Sequence, residues 1–251
     1  MDTIQGKYIW IIGASSGIGA DLARELSERG ATLALSARSQ EKLQNLQSEL
    51  GQHHLVMPLD VCDANALNKA AQEILKKFPR LDSAISMAAI YNPGAIKDMD
   101  INEAHNILNV NLNGMFNFVH AALPIFRTQK SGQIVLCGSV AGYRGLPNGQ
   151  PYSASKAAVI NLAESLRAEE KDNNIDVKVI NPGFVKTPMT DQNDFEMPMM
   201  IDSNIAAKEI ADGLIKKNFE IHFPKKFTFI MKVIRLMPSS LYFIISNQFK
   251  K

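Results

Sequence analysis

Residues 8–19 run Tyr8-Ile9-Trp10-Ile11-Ile12-Gly13-Ala14-Ser15-Ser16-Gly17-Ile18-Gly19. The first five are aromatic or β-branched and apolar throughout, the pattern of a parallel strand covered on both faces rather than of a half-exposed antiparallel one. Gly13 ends that strand. Ile18, Leu22 and Leu26 then keep a four-residue spacing up to Gly30, which predicts a helix that closes at a glycine. A strand that turns through Gly13, Gly17 and Gly19 into a helix brings bare backbone and a helix amino terminus to one point, which suits a pyrophosphate. The spacing GxxxGxG is permissive and also fits an ordinary Gly-rich βα turn, so its neighbours must decide.

Working outward, residues 31–36, 54–59, 81–87, 133–137, 175–180 and 220–223 are further short aliphatic runs, which together with 8–12 predict seven strands. Ser39 and Asp63 stand where amino-terminal caps would start two more helices, and 102–126, 151–171 and 204–217 supply another three. Strand–helix alternation with right-handed crossovers predicts an α/β fold, a single-domain, doubly wound, Rossmann-like parallel sheet with helices on both faces. Its ligand crevice would lie beyond the carboxyl ends of the strands. The chain of 251 residues is 46% apolar and 21% charged, which provides a sizeable core and excludes a disordered chain. Cys62 and Cys137 have no nearby partner cysteine, so they read as small core residues of a reducing compartment. The histidines lack ligand spacing and no metal is expected. Without a basic, apolar leader or an uncharged apolar run of about 18 residues, the expectation is a cytoplasmic protein with no membrane span. Nor is there an aromatic-basic pattern for nucleic acid.

A second chemical pattern is Tyr152-Ser153-Ala154-Ser155-Lys156, at the start of a predicted helix. Positions i and i+4 share a face, so the Lys156 ammonium can approach the Tyr152 hydroxyl and lower a phenol pKa of about 10 toward neutrality. Ser139 ends the fifth predicted strand at the same sheet edge, where its hydroxyl could hold a substrate oxygen. An exposed Tyr–Lys helix pair with no chemistry is the competing reading of the same residues.

Taken together, the two patterns resemble the short-chain dehydrogenases/reductases, and the likeness runs over residues 7–223. Gly13, Gly17 and Gly19 fall on that family's cofactor glycines, with Ser15, Ser16 and Ile18 between them. Ser139, Tyr152 and Lys156 match its catalytic serine and Y-x-x-x-K pair, and Asn111 matches the asparagine of its tetrad. Asp60 and Val61 look like its adenine contacts, Ala88 lies in its loop after the fourth strand, and 181–187 looks like its nicotinamide segment, with Pro182, Gly183, Val185 and Thr187. The resemblance implies hydride transfer between a nicotinamide and a carbonyl or secondary alcohol. In it Tyr152 acts as acid or base, Lys156 also binds the nicotinamide ribose, and Asn111 anchors a proton-passing water. Two departures stand out: Ile12 replaces a threonine, and Ser86-Met87-Ala88-Ala89 replaces Asn-Asn-Ala-Gly, from which a shifted loop is expected. A catalytically silent NADPH-binding regulator is the alternative, although it would not need Asn111, Ser139, Tyr152 and Lys156 together.

Three further expectations concern selectivity. At the end of the second strand Ala37-Arg38 stands where an acid would favour NAD, and the Arg38 guanidinium can clamp a ribose 2′-phosphate, so NADP(H) is the expected cofactor. Residues 188–201 carry Met189, Phe195, Met197, Met199 and Met200, either an apolar lid over a hydrophobic ketone or aldehyde or ordinary core. Residues 224–251 form a basic amphipathic segment beyond the 1–223 domain. From Lys216 onward eight basic residues face only Glu220, a local +7 in a chain of net +2, which leaves residues 1–215 at −5. Packing within a homodimer or homotetramer or over the pocket is the first expectation for this segment, and peripheral membrane contact the second.

Overall fold

The computed structural model describes residues 1–92 and 94–246. Seven strands form one parallel sheet: β1 (Tyr8–Ile12), β2 (Thr32–Ser36), β3 (Leu55–Val56), β4 (Ser83–Ser86), β5 (Gly132–Cys137), β6 (Ile175–Pro182) and β9 (Glu220–Phe223), in the order β3-β2-β1-β4-β5-β6-β9. A separate pair, β7 (Val185–Lys186) and β8 (Ile201–Asp202), brackets the apolar segment after β6. The helices are α1 (Gly17–Glu28), α2 (Gln40–Leu50), α3 (Ala64–Lys77), α4 (Ile101–Leu108), α5 (Gly114–Gln129), α6 (Tyr152–Glu169), α7 (Ser203–Leu214), α8 (Lys225–Leu236) and α9 (Ser239–Ser246).

The pleat of β1 divides the core. Ile9 and Ile11 point to one face, where they meet Leu22 and Leu26 of α1, Leu43 of α2 and Ile210 and Leu214 of α7. Trp10 and Ile12 point to the other, among Leu67 and Ile74 of α3, Phe118 and Phe126 of α5 and Val159 of α6. Trp10 is fully buried, its indole N–H donates to Ser36 Oγ at 2.9 Å, and its ring meets Phe118 edge-on at 6.2 Å. Both layers are needed because the inner strands β1 and β2 are buried on both faces. As expected, Ser39 caps α2 and Asp63 caps α3, accepting from Ala66 N at 3.0 Å, and Gly30 closes α1 with φ +84°.

Three elements differ from the sequence reading. The third strand, expected over 54–59, is only Leu55–Val56, because the buried His54 side chain turns inward and Pro58 has no N–H to continue the ladder. Met57 N and Leu59 N still donate to Leu35 O and Ala37 O. The single helix expected over 102–126 is two α-helices joined by a π turn, Asn109–Asn113. Finally, Cys62 is half-buried rather than a core residue, whereas Cys137 is buried.

Candidate active site

The carboxyl ends of β1, β2, β4, β5 and β6 open onto a crevice of about 440 Å³. Gly13 leaves β1 with φ +86°, a conformation that favours glycine, and a Cβ there would lie 2.7 Å from Ala88 N. At Gly19 a Cβ would stand 2.1 Å from the Gly13 carbonyl oxygen, so only glycine lets α1 start so close to β1. The result is a wall of bare backbone at a helix amino terminus, flanked by Ser15, Ser16, Gly17 and Ile18. Thr187 stands across from this wall, its methyl group 3.4 Å from where a Cβ on Gly17 would be.

Of the residues singled out in the sequence, Arg38, Asp60, Val61, Ala88, Ser139, Tyr152, Lys156, Pro182, Gly183, Val185 and Thr187 all line this crevice with the glycine loop. Asn111 does not. It is fully buried in the π turn, where its Oδ1 accepts from Ile90 N at 2.8 Å and its Nδ2 donates to Ile90 O at 2.9 Å and Ser155 Oγ at 3.2 Å. Its side chain therefore pins the loop after β4 to α6, and reaches the crevice only through Ile90. Ala89 in that loop is not among the residues with positive φ, so the glycine missing there is not required by this backbone.

Tyr152 and Ser139 meet at the ends of α6 and β5. Burial pushes the Tyr152 phenol well above its ordinary range, and the Ser139 hydroxyl beside it opposes that rise. This corrects the expectation of a phenol lowered by Lys156. The Lys156 ammonium donates to the Cys137 carbonyl at 2.8 Å and lies 5.5 Å from the centre of the Tyr152 ring. Burial favours the neutral form of that lysine as well.

Two contacts escaped the sequence reading. Lys42, in the first turn of α2, lines the crevice with Arg38 and adds a second cation to its rim. Tyr91, just after the β4 loop, packs edge-on against Tyr152 at 4.8 Å and donates from its hydroxyl to Asn193 Oδ1 at 2.8 Å. Lys42 was hidden because an exposed helix lysine looks like any other. Tyr91 was hidden because its partners lie far away in the chain. Residues 188–200 are not core: Met189 lines the crevice, and Phe195, Met199 and Met200 are exposed. A larger cavity, about 770 Å³, opens at the amino ends of the strands, where Lys7 pairs with Asp82 at 3.6 Å and Arg167 with Asp176 at 2.9 Å.

The pattern of the family described as short chain dehydrogenase matches residues 7–197. An uncharacterized oxidoreductase of Staphylococcus saprophyticus is 31% identical over 246 residues, which span 96% of this chain and 100% of that protein. Among solved structures, a short chain dehydrogenase from Burkholderia cenocepacia in complex with NADP superposes with a TM-score of 0.84 at 24% identity, covering 96% of this chain and 97% of that one. A short chain dehydrogenase/reductase from Burkholderia phymatum in complex with NAD gives 0.85 at 21% identity, over 92% and 94%. The glycine wall after β1 and the Tyr152–Lys156 pair on α6 thus stand within the matched span, and the chain belongs to the short-chain dehydrogenase family of oxidoreductases.

Proposed function

We propose that the protein is an NADP(H)-dependent oxidoreductase that reduces a hydrophobic ketone or aldehyde to the alcohol, with Tyr152 as the general acid. The observation that carries this reading is the convergence of Ser139, Tyr152 and Lys156 on one crevice with the Gly13–Gly19 wall. The residues present fit a dinucleotide, because a Cβ at Gly13 or Gly19 would collide with backbone where the turn must stay open. Gly13, Ser15, Ser16, Gly17, Ile18 and Gly19 would hold its pyrophosphate, Asp60, Val61 and Ala88 its adenosine side, and Pro182, Gly183, Val185 and Thr187 its nicotinamide side. Bound there, a reduced nicotinamide supplies hydride to a carbonyl carbon.

The protein's own part is proton chemistry at the carbonyl oxygen. Ser139 holds that oxygen by a hydrogen bond, and Tyr152, kept fully protonated by its burial, is in the correct state to donate to it. The phenolate left behind is stabilised by the Ser139 hydroxyl and by the Lys156 ammonium, and Lys156 also offers its charge to the ribose. Asn111, held in the π turn, positions the Ile90 loop that lines the crevice. The 1–223 unit carries this chemistry, and the segment that follows it packs against that unit through Phe227 and Met231.

Tyr152→Phe removes one hydroxyl and keeps the ring. NADPH consumption with a panel of hydrophobic ketones should fall at least about 100-fold, with NADPH binding nearly unchanged. Retention of more than about a tenth of the turnover would remove Tyr152 from the role of acid.

A further inference from the structure

The two C-terminal helices are only half covered. On α8, Thr228 and Met231 are buried, Lys232 pairs with Glu220 at 2.5 Å and Arg235 with Glu164 at 3.6 Å. On α9, Tyr242 is buried, its hydroxyl donates to Gly145 O, and the Arg144 guanidinium lies 4.6 Å over its ring. The opposite side has no cover: Phe229, Ile230, Val233, Leu236, Phe243 and Ile244 are between 44% and 83% exposed. Residues 229, 230, 233 and 236 recur at helical spacing, so they form one continuous face of α8 rather than scattered apolar positions. An apolar face of this kind marks an interaction surface.

Charge selects the occupant. Lys225 and Lys226 stand at the amino-terminal end of that face, four residues before Phe229 and Ile230. Both are exposed, and neither is ion-paired among the described residues. After Glu220 the sequence has no acidic residue at all. Two such faces from two copies would set like charges against each other. An anionic lipid surface instead neutralises the lysines, and its acyl region accepts phenylalanine and leucine without asking for hydrogen bonds. Among the described residues no helix is long and apolar enough to cross a membrane, so the contact is with the surface.

This face also adjoins the crevice. Phe227, in the first turn of α8, packs at 5.2 Å against Phe184, which meets Phe195 at 5.9 Å, and Phe195 belongs to the apolar segment that begins at Pro188. We propose that the exposed face of α8 and α9 docks on an anionic lipid surface and so sets the crevice to receive carbonyl compounds dissolved in that lipid. The docking stands on the surface alone, whereas the choice of substrate rests on the reductase reading above.

The test uses the full chain and sedimentation with vesicles of phosphatidylcholine, with and without phosphatidylglycerol. The protein should sediment with the anionic vesicles only and be released by salt. The pairs Leu236→Ser with Phe243→Ser, and Lys225→Glu with Lys226→Glu, should each weaken vesicle binding at least about tenfold. Neither pair should alter the circular dichroism spectrum or NADPH consumption with a water-soluble carbonyl. Absence of sedimentation with either vesicle overturns the docking. So does dissociation of an oligomer by Leu236→Ser with Phe243→Ser in a protein that ignores lipid, which would make this face an interface between copies. A protein that binds anionic vesicles yet reduces no carbonyl keeps the docking and loses the reductase reading.

Discussion

Arg38 and Lys42 place two cations on one rim of the crevice, at the end of β2 and in the first turn of α2. Arg38 is exposed and has no ion pair among the described residues, so its guanidinium is free to take a phosphate in a bidentate grip that a ribose hydroxyl cannot match. Arg38→Ala should raise the KM for NADPH about tenfold and leave that for NADH unchanged. Lys42→Ala should act in the same direction, more weakly, because an ammonium is a point charge without the fork. Equal steady-state kinetics with both coenzymes in the unmutated protein would refute the assignment. At this scale the sequence was informative wherever a residue's role follows from its own backbone. Gly13 and Gly19 are needed where they stand because of φ and close approach, and such needs are written locally. The Tyr152 phenol was misjudged because its acidity depends on how deeply the ring is buried and on where Lys156 turns, and neither follows from an i, i+4 spacing.

Between elements, the contact that matters most is the bridge from Tyr91 to the segment after β7. Tyr91 touches Tyr152 with its ring and Asn193 with its hydroxyl, so it couples the apolar segment to the proposed proton donor. Tyr91→Phe keeps the ring contact and deletes the bridge. The KM for a hydrophobic ketone should rise between about twofold and tenfold, with the KM for NADPH unmoved. Asn193→Ala should do the same, and the double variant should be no worse than either single one, as a steady-state double-mutant cycle would show. The strands and most helices were legible because burial on both faces and capping residues leave a local signature. The π turn was not, since Asn109–Asn113 continues the helical pattern on either side and one extra residue per turn leaves no mark in composition. Its consequence is visible only in three dimensions, where Asn111 reaches the backbone of Ile90.

For the molecule as a whole, His54 ties stability to pH. Its Nδ1 accepts from Leu33 N at 3.0 Å and its Nε2 pairs with Ser27 Oγ at 3.0 Å, so a proton on Nδ1 would break the link between α1, β2 and the edge of the sheet. Burial first, and the neighbouring His53 second, pull its pKa from 6.5 down to about 4. Because the folded value is depressed, the unfolded chain takes up the proton first as pH falls. The stabilisation is complete above about pH 6.5 and is lost toward pH 4, at about 1.4 kcal/mol per unit. Urea denaturation at pH 7, 6 and 5 should show this slope, and His54→Gln should flatten it while lowering stability at pH 7. Trp10 gives the same molecule an optical property. It is the chain's 1 tryptophan, shielded from water in the inner strand β1, and that strand runs straight into Gly13. An indole so buried should emit at shorter wavelength, overlapping the absorption of a reduced nicotinamide, so NADPH titrated into the protein should quench tryptophan fluorescence by energy transfer while NADP⁺ does so much less. The single indole thus makes every variant named above its own binding assay, with no label attached.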